Sequence, residues 1–209
     1  MLGKVVLRFI KYLFIIFLLI FINLPMISFS GEWDIVGKGS FDIRNFIYSP
    51  EYVNQNSYSF SPSVSIEPEF IYEFNNNSRF TLIPFMREDA DDSKRSHSDL
   101  RELNWLYFGE NWDITIGVSK VFWGVTESLH LVDIINQTDL VEDISREKKL
   151  GQPMININIE EKWATVSLYV LPGFRSRTFT SQNARLNGPY KIDSDNSIYE
   201  STSGKKNID

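Results

Sequence analysis

The chain contains no cysteine, which excludes a disulfide framework and any thiolate metal site. It also lacks a basic patch: 21 Lys and Arg stand against 27 Asp and Glu, for a formal charge of -6. Such a balance leaves little to neutralise phosphates with, so nucleic acid is not an expected partner. After Ser30 there is no internal repeat and no Pro-, Gly- or Ser-rich linker that would mark a second domain. The longest apolar run, Tyr12 to Ile22, ends at Asn23 and Pro25, short of the roughly 20 apolar residues a helical span needs.

What surrounds that run reads as an export signal over residues 1–30. Lys4, Arg8 and Lys11 form a basic leader, and Ser28-Phe29-Ser30 places small residues where a signal peptidase reads, with cleavage expected before Gly31. Removing the leader takes the 21 basic residues to 18 against 27 acidic ones, so the mature chain is near -9.

From Gly31 onward the recurring feature is period-two alternation. Val64, Ile66, Pro68, Phe70, Tyr72 and Phe74 fall on one face, against Ser63, Ser65, Glu67, Glu69 and Glu73 on the other. A strand points successive side chains to opposite faces, so one surface is apolar and the other acidic. Asn75-Asn76-Asn77 then turns the chain. The next strand sets Phe80, Leu82, Pro84 and Met86 against Arg79, Thr81 and Arg87, with Ile83 and Phe85 diluting the polar face. Beyond a charged loop near 88–98, alternation resumes in Leu100 to Phe108, Trp112 to Ser119, Ile155 to Glu160 and Ala164 to Val170. With Val36 to Tyr48 as the first, about seven strands are expected.

Strands near ten residues, short turns alternating with longer loops, and aromatics at strand ends are marks of a transmembrane β-barrel. A lipocalin-like barrel or β-sandwich is the soluble counterpart, but its packed core would not hold Glu67, Glu69, Arg79 and Arg87 unpaired. Tyr107, Trp112, Trp123 and Trp163 also sit near the turns, where interfacial aromatics belong. The fold expected is all-β, an antiparallel transmembrane barrel with one short helical or irregular insert at 124–151. Residues 31–209 would form the N-terminal part of that barrel, because the tail to Asp209 ends without an aromatic closing strand.

The insert is the stretch the rest is organised around. Gly117 to Glu142 runs from an alternating strand through Phe122-Trp123-Gly124 into apolar residues at helical spacing, Leu129, Val132 and Ile135. A long excursion in an all-β chain covers, plugs or narrows something. This stretch, with Lys149-Leu150-Gly151-Gln152-Pro153, resembles a family of uncharacterised porin-like outer-membrane proteins of Gram-negative bacteria. The resemblance is carried by the Gly- and Lys-bearing strand end, the Trp-Gly step and Leu131-Val132-Asp133-Ile134-Ile135-Asn136-Gln137-Thr138-Asp139. It implies a longer barrel in the outer membrane serving as a channel or uptake protein, with no catalytic residue and no substrate assigned.

Three constellations invite chemistry. Ser128, His130 and Asp133 crowd into six residues, whereas a hydrolytic triad gathers its members from separate elements, and no Gly-x-Ser-x-Gly elbow precedes them. His97-Ser98 brings to mind a barrel-wall phospholipase but sits beside a charged loop. Asp133, Asn136, Asp139 and Glu142 are oxygen donors at every third residue, which suits calcium; on a helix that spacing drifts off one face, so caps and solvated groups are the plainer expectation. The chain is therefore not expected to be an enzyme or to hold a cofactor or metal. The charges expected to line a lumen or constriction are Arg44, Glu67, Glu69, Glu73, Arg79, Arg87, Arg101, Lys120, Asp133 and Asp139, since charged rings set ion preference. Passive diffusion or uptake of small solutes is the expected function, with outer-membrane lipid and small solutes as partners and a homo-oligomer compatible with the pattern. A plugged structural or binding barrel is the first alternative, and a barrel-embedded lipid hydrolase the second.

Overall fold

The computed structural model describes residues 31–74, 77–121 and 134–189. The chain divides into two units, Met1–Ser30 and Gly31–Asp209; the first, with the expected export signal, lies outside the described residues. So do Asn75 and Asn76 of the first turn, residues 122–133 of the insert, and the tail from residue 190.

Among the described residues seven strands follow one another in a single antiparallel sheet: β1 (Gly31–Asn45), β2 (Phe60–Phe74), β3 (Ser78–Asp89), β4 (His97–Phe108), β5 (Trp112–Ser119), β6 (Gln152–Glu161) and β7 (Ala164–Val170). Their spatial order is their chain order. Each hairpin pairs nearest neighbours, so the meander needs no crossover. The sheet is not closed: β1 and β7 stand at its two edges. Among the described residues there is no helix. Of the two forms expected for the insert, helical or irregular, residues 134–151 take the irregular one, with turns and two isolated bridges, Thr138 to Lys149 and Asp139 to Thr178; Leu129 and Val132 of the helical spacing lie outside the described residues. Ile135 is buried there by its irregular fold while Ile134 is exposed, so tertiary contacts rather than helical periodicity place the apolar side chains.

Alternation distributes polarity inside out. On β1 and the first half of β2 apolar side chains are exposed, Ile35 at 63%, Phe41 at 69% and Val64 at 55%, while Ser61 and Ser63 are buried; further along β2 Phe70 and Phe74 are half-buried and Tyr72 is buried. On β6 the face of Gln152, Met154 and Asn156 is buried, and Ile155 and Ile159 are exposed. We call the polar face inner and the apolar face outer. The outer face ends in a band of aromatics beside the short turns: Trp33 and Tyr72 rings lie 4.7 Å apart, Tyr72 and Phe74 4.5 Å, Trp105 and Tyr107 5.9 Å, and Tyr107 and Trp112 5.5 Å.

Two irregularities bend the pattern. Pro68 and Pro84 fall at matching positions of β2 and β3, and the paired register skips from Ile66–Met86 to Phe70–Leu82, because neither proline can donate to the ladder. On the far side of β3 the register with β4 shifts between Ile83 and Pro84, whose partners are Glu102 and Leu100. Arg101 is the extra residue, a β-bulge. Asp99 and Arg101 therefore share the inner face with Asn104, three positions on, instead of alternating evenly.

Candidate functional site

The opposite end of the sheet carries the long loops, and there the insert packs on the inner face through buried charge. Arg87 on β3 is 4% exposed. Its Nε donates to both carboxylate oxygens of Glu142, at 3.1 and 3.0 Å, and its Nη1 to Asp42 at 2.5 Å and Ser63 Oγ at 2.9 Å. Arg101 on the bulge is 3% exposed and donates to Asp139 at 2.5 Å and Asp99 at 2.9 Å. Its guanidinium lies 4.2 Å from the centre of the Phe85 ring. Arginine stacks on an aromatic face while its fork engages carboxylates, so Phe85 serves as a floor for the ion pairs.

Residues after β7 strap the insert down. Thr178 Oγ1 donates to Asp139 at 2.6 Å. Arg175 engages Asp99 and donates to the Gly151 carbonyl at 2.9 Å, and its backbone exchanges two 3.0 Å hydrogen bonds with the Gln152 side chain. Further along, Gln55 donates to the carbonyls of Arg185 and Asn187, tying the strap to the β1–β2 loop. Arg44, Phe46, Tyr58, Asp89 and Arg185 line a cavity of about 10 Å³ there, room for about one water.

Asn136 closes the base of the insert. Its amide donates to the carbonyls of Ser119 at 3.0 Å and Leu150 at 2.9 Å, and its oxygen accepts from Val121 N–H at 2.8 Å. One buried side chain thus staples the outgoing strand end to the returning one. Asp143 holds a tight turn by accepting from the N–H groups of Ser145, Glu147 and Lys148.

Burial pushes the Asp139 carboxyl up, but the Arg101 charge and the Thr178 and Arg101 hydrogen bonds together outweigh it and hold it below the usual value. Asp139 is accordingly a carboxylate in the folded protein. Burial pushes Arg95 down, as do the charges of Arg44 and Arg87, against the pull of Glu142 and Asp89.

The expected lumen charges separate into three groups. Arg87, Arg101 and Asp139 come together, buried and paired, which corrects the expectation that they line open space: their charges are consumed by one another and by Glu142. Glu67, Glu69, Glu73 and Arg79 lie along the inner face with partial or full exposure, and Lys120 is exposed just past β5; Glu73 stands opposite Arg79. Arg44 lies apart in the small cavity. Asp133 is outside the described residues, as are Ser128, His130 and Trp123. The expectation that Asp139 and Glu142 face water is likewise corrected, since both are buried on arginines. No group of ligands able to hold a metal occurs among the described residues. His97 and Ser98 point to opposite faces of β4; His97 sits 3.8 Å from Glu142 and packs on Phe85.

Sequence reasoning missed Asp42, Arg95, Asp99, Glu142 as a pairing residue, Arg175 and Thr178. Phe85 and Arg87 at i and i+2 share a strand face, a signal that could have flagged the ring as a cation platform. Fold and site together define an all-β protein with a seven-stranded antiparallel meander and an ion-paired insert. The chain matches no protein family, no curated protein and no solved structure.

Proposed function

We propose that this protein is an outer-membrane channel of porin type, passing small solutes by diffusion along its inner face. The observation that carries the reading is the inside-out polarity, with Ile35, Phe41, Val64, Ile66 and Leu168 exposed while serines, asparagines and charged groups occupy the other face. A water-soluble sheet would bury such residues, at roughly 1.5–3 kcal/mol for each large apolar side chain; lipid accepts them as they stand. The aromatic band beside the short turns fits the headgroup level of a bilayer. Edge strands β1 and β7 need partners in lipid, where unpaired backbone groups are unsustainable, so the reading requires further strands to close the wall.

A plugged structural or binding barrel is the second reading, favoured by the buried insert and strap at the long-loop end. Planar-bilayer recording on the full-length protein separates the two. Discrete, ohmic conductance steps are expected; membrane-inserted, folded protein that stays silent would sink the channel reading and leave the plugged one.

A further inference from the structure

The insert also bears on which solutes pass, an inference that rests on the channel reading. Arg87 and Arg101 belong to the wall strands β3 and β4, and both point to the inner face. On the wall itself Arg87 meets Asp42, which Arg95 also approaches at 3.9 Å, and Arg101 meets Asp99, which Arg175 also engages, so the wall's carboxylates are shared among more arginines than they number. The insert supplies the further partners, Glu142 for Arg87 at 3.0 Å and Asp139 for Arg101 at 2.5 Å, the two carboxylates having no exposed side-chain surface. A contact pair is a dipole whose potential dies away within a few ångströms, so these arginines present little field to solution.

What remains accessible on the inner face is mainly of the other sign. Glu67, Glu69 and Glu73 share one face of β2; the Glu67 side chain is 33% exposed, with its carboxylate 3.9 Å from Arg101 Nε. Glu102 is close enough to Glu69 for the two charges to feel each other. Lys38, Arg79 and Lys120 offset part of this, and the carboxylates outnumber them. Unpaired charge on a pore wall sets ion preference.

We propose that Asp139 and Glu142 are specificity determinants: by neutralising Arg101 and Arg87 they leave the pathway to the glutamates of β2 and give it a preference for small cations over anions. Neither residue touches the solute; each acts through the arginine it covers.

The test is the reversal voltage of the reconstituted full-length protein across a potassium chloride gradient. Wild type should reverse on the cation side. Asp139→Asn with Glu142→Gln should move the reversal toward the anion side, and pairwise removal (R87Q/E142Q with R101Q/D139N) should return it to the wild-type position. Glu67→Gln with Glu69→Gln, which alters partly exposed groups and leaves the insert's ion pairs in place, should also move it toward anions, and keeps the inference open to refutation if the first variant does not fold. A conducting wild type that reverses on the anion side, or an unmoved reversal in the folded variants, overturns the assignment. Silence from folded, inserted protein overturns the channel reading beneath it.

Discussion

Replacing Glu142 by Gln removes one negative charge from a site with almost no solvent. Arg87 keeps Asp42 at 2.5 Å and Ser63 at 2.9 Å, and Asp42 is itself 42% exposed, so the guanidinium is not stranded. Breaking a buried pair by removing one partner costs about 3–5 kcal/mol; the surviving partner places this change near the lower end, about 3 kcal/mol. Glu142 belongs to the insert, so the loss falls on the equilibrium between the packed and lifted insert rather than on the whole sheet. At about 1.4 kcal/mol per decade, 3 kcal/mol corresponds to roughly 150-fold more frequent opening. Amide hydrogen exchange reads this directly. The Asp139 N–H donates to the Lys148 carbonyl at 2.9 Å and the Leu150 N–H to that of Gln137 at 2.8 Å, and both should exchange about two orders of magnitude faster in the variant. Amides in the β2–β3 ladder should be unchanged. Acceleration below about threefold at Asp139 and Leu150 would show that the pair does not hold the insert, and that reasoning from buried charge is misplaced here.

Asn136→Ala should leave the Ser119 and Leu150 carbonyls and the Val121 N–H without their partner, costing roughly 3 kcal/mol; exchange at Leu150 should rise while the β1–β2 ladder keeps its protection. Gly117 has φ +132° and a Cβ there would lie 2.1 Å from the Leu103 carbonyl oxygen. Gly117→Ala should therefore cost at least about 3 kcal/mol, read as a lower urea midpoint of the β4–β5 hairpin in detergent. Asp139 is held below its ordinary 3.8 in the folded state, so its contribution is complete above that value and is lost as pH falls through the lowered one. Insert protection, corrected for intrinsic exchange, should stay level from neutral pH to about 5 and fall below 3.8; a loss already under way at pH 6 would contradict this.

The seven strands were legible because alternation is a local signal. Trp112–Ser119 and Ala164–Val170 have the bounds their patterns implied. The first strand was read too late at both ends, since Trp33-Asp34-Ile35 continues the alternation to the short-turn end, and Phe46 leaves the ladder to bond Ser59 in the loop. The site was only half legible. Arg87 and Arg101 could be picked as inward charges from strand parity, but their partners on the insert lie 55 and 38 residues away, and no local pattern reports such pairing. The bulge was invisible for a related reason: Arg101 becomes an extra residue only against β3. Asp139 and Glu142 were picked as oxygen donors, and their real partners, arginines on another element, decided between cation ligand and ion pair.

The bulge at Arg101 also makes β4 two half-strands out of phase. His97 to Leu100 keeps time with one half of β3, and Leu103 to Phe108 keeps time with the other. Deleting that single residue would restore a regular ladder and bring the halves into one phase. Leu100 would then run straight into Glu102 against Pro84 and Ile83, and both halves would keep their faces, Asp99 and His97 inward, Leu103 and Trp105 outward. The extra residue thus reconciles the count of two half-strands, and its deletion would leave the strand in frame while taking away the arginine that Asp139 of the insert pairs with.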